Sequence, residues 1–295
     1  MTMSSSNRFE DFFADAGYVT LKNHLYNYLL RKRAIRKCMQ LQKKDLILEV
    51  GSGLSPMLDD SERIVYSELS FSALNTLKRN QLTGFYVVAD AMHLPFKADS
   101  FSHVICSEVL EHLPDDRPAL REMASVVEMG GSLIITFPHR KDYFALDDHF
   151  VCHFRRYELL EMQKRLKDVE LDMVEIRKVF GPLEKLTMLV AVSIISFLRR
   201  IRSEKTTFGL WSGWRFITPI FKWLNRLYCV PIWLDAWLFP RSLAAVLLIR
   251  AVKKAMTRTS SDESKGLAPI KPSFRTCPAE QERERSNPLR LFKGP

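Results

Sequence analysis

Leu46-Ile47-Leu48-Glu49-Val50-Gly51-Ser52-Gly53 is the stretch that decides the fold. A short apolar run ends in a carboxylate and passes directly into two glycines, which lack a Cβ and so admit positive φ and a close approach of backbone to a ligand. An ordinary tight strand-to-helix turn would look the same, so the stretch needs support from its surroundings. A P-loop is excluded, because no Gly-Lys-Ser or Gly-Lys-Thr follows.

Working outward, short apolar runs alternate with longer amphipathic stretches, the pattern of a parallel sheet with crossover helices. Strands are expected at Leu46–Val50, Ile64–Ser67, Phe85–Ala89, His103–Ser107, Ser132–Phe137 and Val169–Val179, with a closing strand at Ala244–Ala251. Helices are expected at Phe71–Asn80, Arg117–Val127 and Tyr157–Leu166. Apolar positions at helical spacing between Phe9 and Met39 predict one or two further helices ahead of this sheet. The expected class is therefore α/β, a doubly wound, seven-stranded, mostly parallel Rossmann-like sheet. Its organisation is an N-terminal helical segment (1–43), a core (44–180), an apolar helical insertion (181–241), a closing strand of the core (242–256) and a disordered tail (257–295).

The order of polar residues at successive strand ends carries the functional reading. Glu68 follows the second strand, where a carboxylate can bond both hydroxyls of a ribose. Asp90-Ala91-Met92 follows the third, a carboxylate beside small and apolar side chains suited to an adenine. Cys106-Ser107-Glu108 follows the fourth. Four such ends in succession point to a nucleotide-like ligand.

The segments LEVGSG, ADAMHLPFKADSFSHVICSEVLEHLPD and ALREMASVVEMGGSLIITFP together resemble the class I S-adenosylmethionine-dependent methyltransferases, in particular the small-molecule type 11 group related to quinone-biosynthesis enzymes. The resemblance implies S-adenosylmethionine as cofactor. Glu49 would orient the loop and reach the methionine amino group, Gly51 and Gly53 would admit the cofactor backbone, and Glu68 would hold the ribose. Asp90, Ala91 and Met92 would receive the adenine, and Ser107 the methionine end. Two departures stand out: Ser55 lies near where the third loop glycine would fall, and only 19 positions separate Glu49 from Glu68. The first crossover helix is expected to be shorter by about a turn, roughly 3.6 residues, with Pro56 in its first turn.

Methyl transfer mainly requires alignment of donor and acceptor, with a base where the acceptor must lose a proton. Glu111 and His112 are the expected catalytic pair, and no metal is assigned. Glu108, Glu111 and His112 could act as a base or, with His149 or His153, hold a divalent metal, but only a helical backbone would align them; capping of the next turn is the structural alternative. The arginines near His139-Arg140 and in His153-Phe154-Arg155-Arg156-Tyr157 could meet an anionic acceptor or form a solvated basic face. The absence of an Asn-Pro-Pro-Tyr or Asp-Pro-Pro-Tyr run after the fourth strand disfavours an adenine or glutamine N-methylase.

A formal charge of +10 favours an anionic partner without choosing one. Five scattered cysteines without a C-x-x-C pair suggest neither disulfides nor zinc, and the N-terminus lacks a secretory pattern, so a cytoplasmic setting is expected. Met188–Leu198 is nearly uncharged but too short to span a bilayer, and Trp211, Trp214, Trp223, Trp233 and Trp237 cluster nearby with Arg199, Arg200, Arg202, Lys222 and Arg226. The region is either buried packing or a hairpin lying peripherally on the inner face of a membrane, and the Trp–basic clustering favours the membrane. The expected function is methylation of a small-molecule or lipid-linked acceptor. The alternatives are an RNA 2'-O-methyltransferase, although nucleic acid is disfavoured as a partner, and a non-catalytic cofactor-binding or membrane-adaptor module.

Overall fold

The computed structural model describes residues 22–39, 41–59, 63–80, 83–201, 214–254 and 292–293. Its strands are β1 (Ile47–Val50), β2 (Ile64–Glu68), β3 (Phe85–Val88), β4 (Phe101–Ser107), β5 (Val127–Pro138), β6 (Leu171–Phe180), β7 (Val246–Lys253) and the two-residue β8 (Phe292–Lys293). The helices are α1 (Tyr26–Cys38), α2 (Phe71–Arg79), α3 (Arg117–Val126), α4 (Leu146–Phe150), α5 (Leu159–Lys167), α6 (Pro182–Ile201) and α7 (Trp214–Leu238).

One sheet runs in the order β6-β7-β5-β4-β1-β2-β3-β8. Strands β1 to β5 pair in parallel, and β7 lies antiparallel between β5 and β6. The expected α/β, mostly parallel, doubly wound sheet is present with seven main strands. The eighth was not expected: Phe292 and Lys293, placed by the sequence in a disordered tail, pair antiparallel with Tyr86 and Phe85 at the free edge of β3. The rest of 257–295 lies outside the described residues, as do residues 9–21 of the expected N-terminal helices.

Alternate side chains of each strand go to opposite faces. Leu48, Val50, Val65, Val104 and Cys106 pack beneath α3 and α5, with Leu120, Met123 and Met162. Ile47, Ile64, Tyr66 and Ile105 pack on the other face with Ile35 of α1, Leu74 and Leu77 of α2, and Ile232 of α7. Both faces are covered, which is why these strands read as continuous apolar runs.

The expected short crossover helix after β1 is absent from the described residues of that connection, 51–59. Residues 51–59 run as turns and bends, because the few residues before β2 cannot hold both a helix and its return. The loop substitutes buried Leu54, Met57 and Leu58, and α1 docks beside it, with Arg36 and Lys32 pairing to Asp59 at 2.5 and 3.5 Å.

The two insertion helices stand on α1 and on the end of β6. Tyr228 meets Tyr26 edge-on at 5.1 Å and bonds Thr187 at 2.7 Å. Asp235 of α7 accepts the Leu183 amide at 3.0 Å and also receives the Glu184 and Gly181 amides, so it caps the start of α6 from a separate helix. A Cβ at Gly181 would lie 2.4 Å from that carboxylate, so the close approach depends on glycine. Their outer surface is different. Leu186, Val190, Ile194 and Phe197 form an exposed stripe on α6, continued on α7 by Trp223, Leu227, Trp233 and Trp237. The insertion is thus packed on one side only. No helix among the described residues is long and apolar enough to cross a membrane.

Candidate active site

Parallel pairing brings the carboxyl ends of β1 to β4 to one edge, and the loops leaving them knit together. The Gly51 and Ser52 amides donate to the Ser67 carbonyl at 2.8 and 3.2 Å. Gly51 (φ 71°) and Gly53 (φ 54°) are both left-handed. A Cβ on Gly51 would meet Val109 Cγ2 at 2.4 Å, so the loop after β4 lies directly on the glycine turn.

The carboxylates are already organised. Buried Glu49 accepts the Met57 amide at 2.7 Å and the Leu58 amide at 3.4 Å, which holds the far side of the loop. Burial pushes its carboxyl up to about 8, against the lowering effect of those amides. Glu68 accepts the Gly53 amide at 2.9 Å through one oxygen and the Ser70 amide at 3.1 Å through the other. A carboxylate has about four lone-pair sites, so two bonds leave capacity for hydroxyl donors. Asp90 accepts the Met92 amide at 2.9 Å, with its side chain about one-third exposed and Ala91 and Met92 half-buried beside it. Ser107 shares a 2.8 Å bond with Thr136.

Glu108 leaves the group expected at the end of β4. At φ 55° it turns toward β5, accepts the Thr136 hydroxyl at 3.1 Å and lies 4.0 Å from the buried Arg31 of α1. Leu110–His112 then form a single 3-10 turn rather than an α-helix. It presents Glu111 and His112 to His153, while His149 instead packs edge-on against Phe144 at 4.9 Å. Glu111, His112 and His153 bring one ligand-type atom each within 4.8 Å of one another. Burial and the neighbouring Glu108 push the Glu111 carboxyl above its usual range, and burial with His153 pulls the His112 imidazole down to about 4.

The arginines expected either to meet an acceptor or to face solvent are held by the chain itself, Arg156 buried and Arg140 and Arg155 half-buried. Arg156 is buried, bonding Asp148 at 2.8 Å and the carbonyls of His139 and Ala245. Arg155 reaches the carbonyls of Leu113 and Pro114, and Arg140 that of Ser242 at 2.5 Å. Lys185 of α6 bonds Asp147 at 2.6 and 2.7 Å and Asp148 at 2.9 Å, joining the insertion to the wall of the site. Burial opposes ionisation of Asp148, but its bonds to His153, Arg156 and Lys185 outweigh that and hold it well below the usual carboxylate range. Sequence reading missed Arg31, Asp148 and Lys185. Arg31 and Lys185 have partners far away in the chain, and Asp148 joins them through Lys185, so no local spacing marks the group.

Comparison with known proteins agrees with this frame. Residues 48–135 match a family model described as a methyltransferase domain. An uncharacterised protein of Methanocaldococcus jannaschii is 32% identical over 133 residues, 44% of this chain and 55% of the relative. A ubiquinone/menaquinone biosynthesis C-methyltransferase of Vibrio parahaemolyticus is 30% identical over 142 residues, 43% of this chain and 55% of the relative. The chain thus spans about half the length of these relatives. Among solved structures, the fold is similar to a chain in the complex of the Haloferax volcanii Trm112 methyltransferase activator with a methyltransferase (TM-score 0.57, 16% identity), covering 85% of this chain and 100% of that one.

Sheet order and strand-end site are those of the Rossmann-like methyltransferase fold, and residues 48–135 are similar to the methyltransferase domains of the class I S-adenosylmethionine-dependent enzymes. S-adenosylmethionine is the cofactor of the class, and the donor set here suits it: glycines where backbone must approach, and acidic groups at the ends of β1, β2 and β3.

Proposed function

We propose that the protein transfers a methyl group from S-adenosylmethionine to a small-molecule or lipid-linked acceptor at a membrane surface. The observation that carries the reading is the continuous edge formed by Glu49, Gly51, Gly53, Glu68 and Asp90, with its loops already fastened by backbone bonds. When bound, the cofactor supplies a methyl group on a sulfonium for in-line transfer. The chain's own part is to hold and orient. Glu49 fixes the loop and accepts a hydrogen bond from the methionine ammonium, whose positive charge favours the ionised form that burial opposes; Glu68 takes the ribose hydroxyls, and Asp90 with Ala91 and Met92 takes the adenine. Ser107 faces the methionine end. Val109, lying on Gly51, closes the turn against water. Glu111 and His112 border the place where an acceptor would enter, with His112 held neutral near pH 7 by its burial and by His153.

The membrane part of the proposal rests on the exposed stripes of α6 and α7. Exposed apolar patches on soluble domains rarely exceed a few hundred Å² unless they bind something. Trp223 and Trp237 are 63% and 67% exposed, and Lys222 and Arg226 occupy the same helix, a composition suited to the boundary of an anionic bilayer. The pair would lie on the surface rather than span it, keeping the site, joined through Lys185, close to lipid-linked acceptors.

Incubation of full-length protein with methyl-labelled S-adenosylmethionine and a lipid extract, followed by mass spectrometry, tests the reaction. Label should appear in a small or lipid-linked product. Label confined to RNA, or absent despite cofactor binding, would refute the acceptor class.

A further inference from the structure

The buried group behind the cofactor edge has the makings of a metal centre. Glu111 is completely buried, yet neither of its carboxylate oxygens has a hydrogen-bond partner. An unpaired buried carboxylate is among the costliest arrangements in a protein interior, and one that persists generally answers to a ligand. His153 Nε2 lies 3.8 Å from Glu111 Oε1, too far for a hydrogen bond. The His112 and His153 rings meet edge-on with centroids 4.7 Å apart.

Both imidazoles are held from behind. His153 Nδ1 bonds Asp148 at 2.9 Å, which turns Nε2 toward Glu111. Asp148 is fixed in turn by Arg156 and Lys185. His112 bonds the backbone carbonyl of Cys152. Metal-binding histidines characteristically pass their other ring nitrogen to a carboxylate or a backbone carbonyl in this way. Two donors about 2.1 Å from one ion lie about 3–4 Å apart, and the three donor atoms here all fall within 4.8 Å of one another.

We infer that Glu111, His112 and His153 form a binding site for a divalent transition-metal cation, oriented by Asp148 and the Cys152 carbonyl. Two imidazoles and one carboxylate suit borderline ions such as Zn²⁺ and Co²⁺ better than Mg²⁺ or Ca²⁺, which prefer oxygen donors throughout. Three protein donors leave coordination positions open, the arrangement of catalytic rather than structural sites. This goes beyond methyl transfer, and metal binding can be read without any acceptor.

The test is titration of full-length, chelator-stripped protein with Co²⁺, followed by visible absorption and calorimetry, and repeated with Zn²⁺ as competitor. One equivalent should bind, with Co²⁺ absorption abolished by Zn²⁺ and unchanged in His149→Ala. Glu111→Gln keeps the side chain's shape, and His153→Ala removes a donor. Each should weaken binding by about 10–100-fold or more. Glu111→Gln should also melt no lower than wild type without metal, because no hydrogen bond to the carboxyl is lost; a purely structural Glu111 would lower that melting temperature. Absence of binding to folded wild type, or equal binding by folded Glu111→Gln, would overturn the site.

Discussion

The sheet and the α6–α7 pair use similar residues to opposite ends. In β1 and β4, Leu48, Val104 and Ile105 are wholly buried, and the polar groups of the cofactor edge sit where the strands stop. On α6 and α7, Phe197, Trp223 and Trp237 are more than 60% exposed, while the polar groups, Asp235 and Lys185, point inward to fasten the helices. Apolar character alone therefore does not mark a core. In the sheet both faces of each strand have a partner; on the insertion helices only one side does. The first arrangement builds a rigid edge for a cofactor, and the second leaves a surface for something outside the chain.

The most damaging change to the rigid half should be Gly51→Val. The new side chain would need φ near 71° and would strike Val109. Strain and overpacking of about 1–3 kcal/mol each should weaken S-adenosylmethionine binding by at least about 100-fold, measured by calorimetry. Replacement of both Trp223 and Trp237 by Ala should strike only the exposed half. Each Trp offers roughly 150–250 Å² of surface, worth at most about 4–6 kcal/mol when fully buried. Flotation with anionic vesicles should drop by about 10-fold or more while cofactor affinity stays unchanged. Equal flotation would mean that the stripe has another occupant.

Glu49 gives the sheet a pH signature. Its folded value of about 8 exceeds the ordinary value of about 4.3, so the fold favours the protonated carboxyl. That contribution is complete below about pH 4 and is lost as pH rises through about 8. Thermal melts of cofactor-free protein should fall across that window, and Glu49→Gln should flatten the fall. The smallest effect is expected at the seam between the halves: Asp235→Ala removes the cap on α6 and should cost about 1 kcal/mol, visible as a lower melting temperature with cofactor binding intact.

Much of this was legible in the sequence because the sheet is periodic and buried on both faces. Short apolar runs located seven strands within a few residues, and their polar ends located the cofactor edge. The loop after β1 was read as a trimmed helix, since spacing shows that a segment is short but not that α1 replaces it. Three- and four-residue spacings suggested one cluster of Glu108, Glu111 and His112, but positive φ at Glu108 and a 3-10 turn split it. His153 could not be preferred over His149 without the turn that follows α4. Lys185 with Asp148 was invisible, because a pair separated by 37 residues leaves no local pattern. β8 consists of two residues and carries no periodicity at all.

Calorimetry of full-length protein with S-adenosylmethionine tests the strand-end cofactor site most directly. The expected result is saturable one-site binding, weakened by about 10-fold or more in Glu68→Ala, which removes a charged acceptor worth about 1.5–3 kcal/mol. A folded wild-type protein that takes up no cofactor, or a Glu68→Ala variant that binds it equally well, would contradict the site.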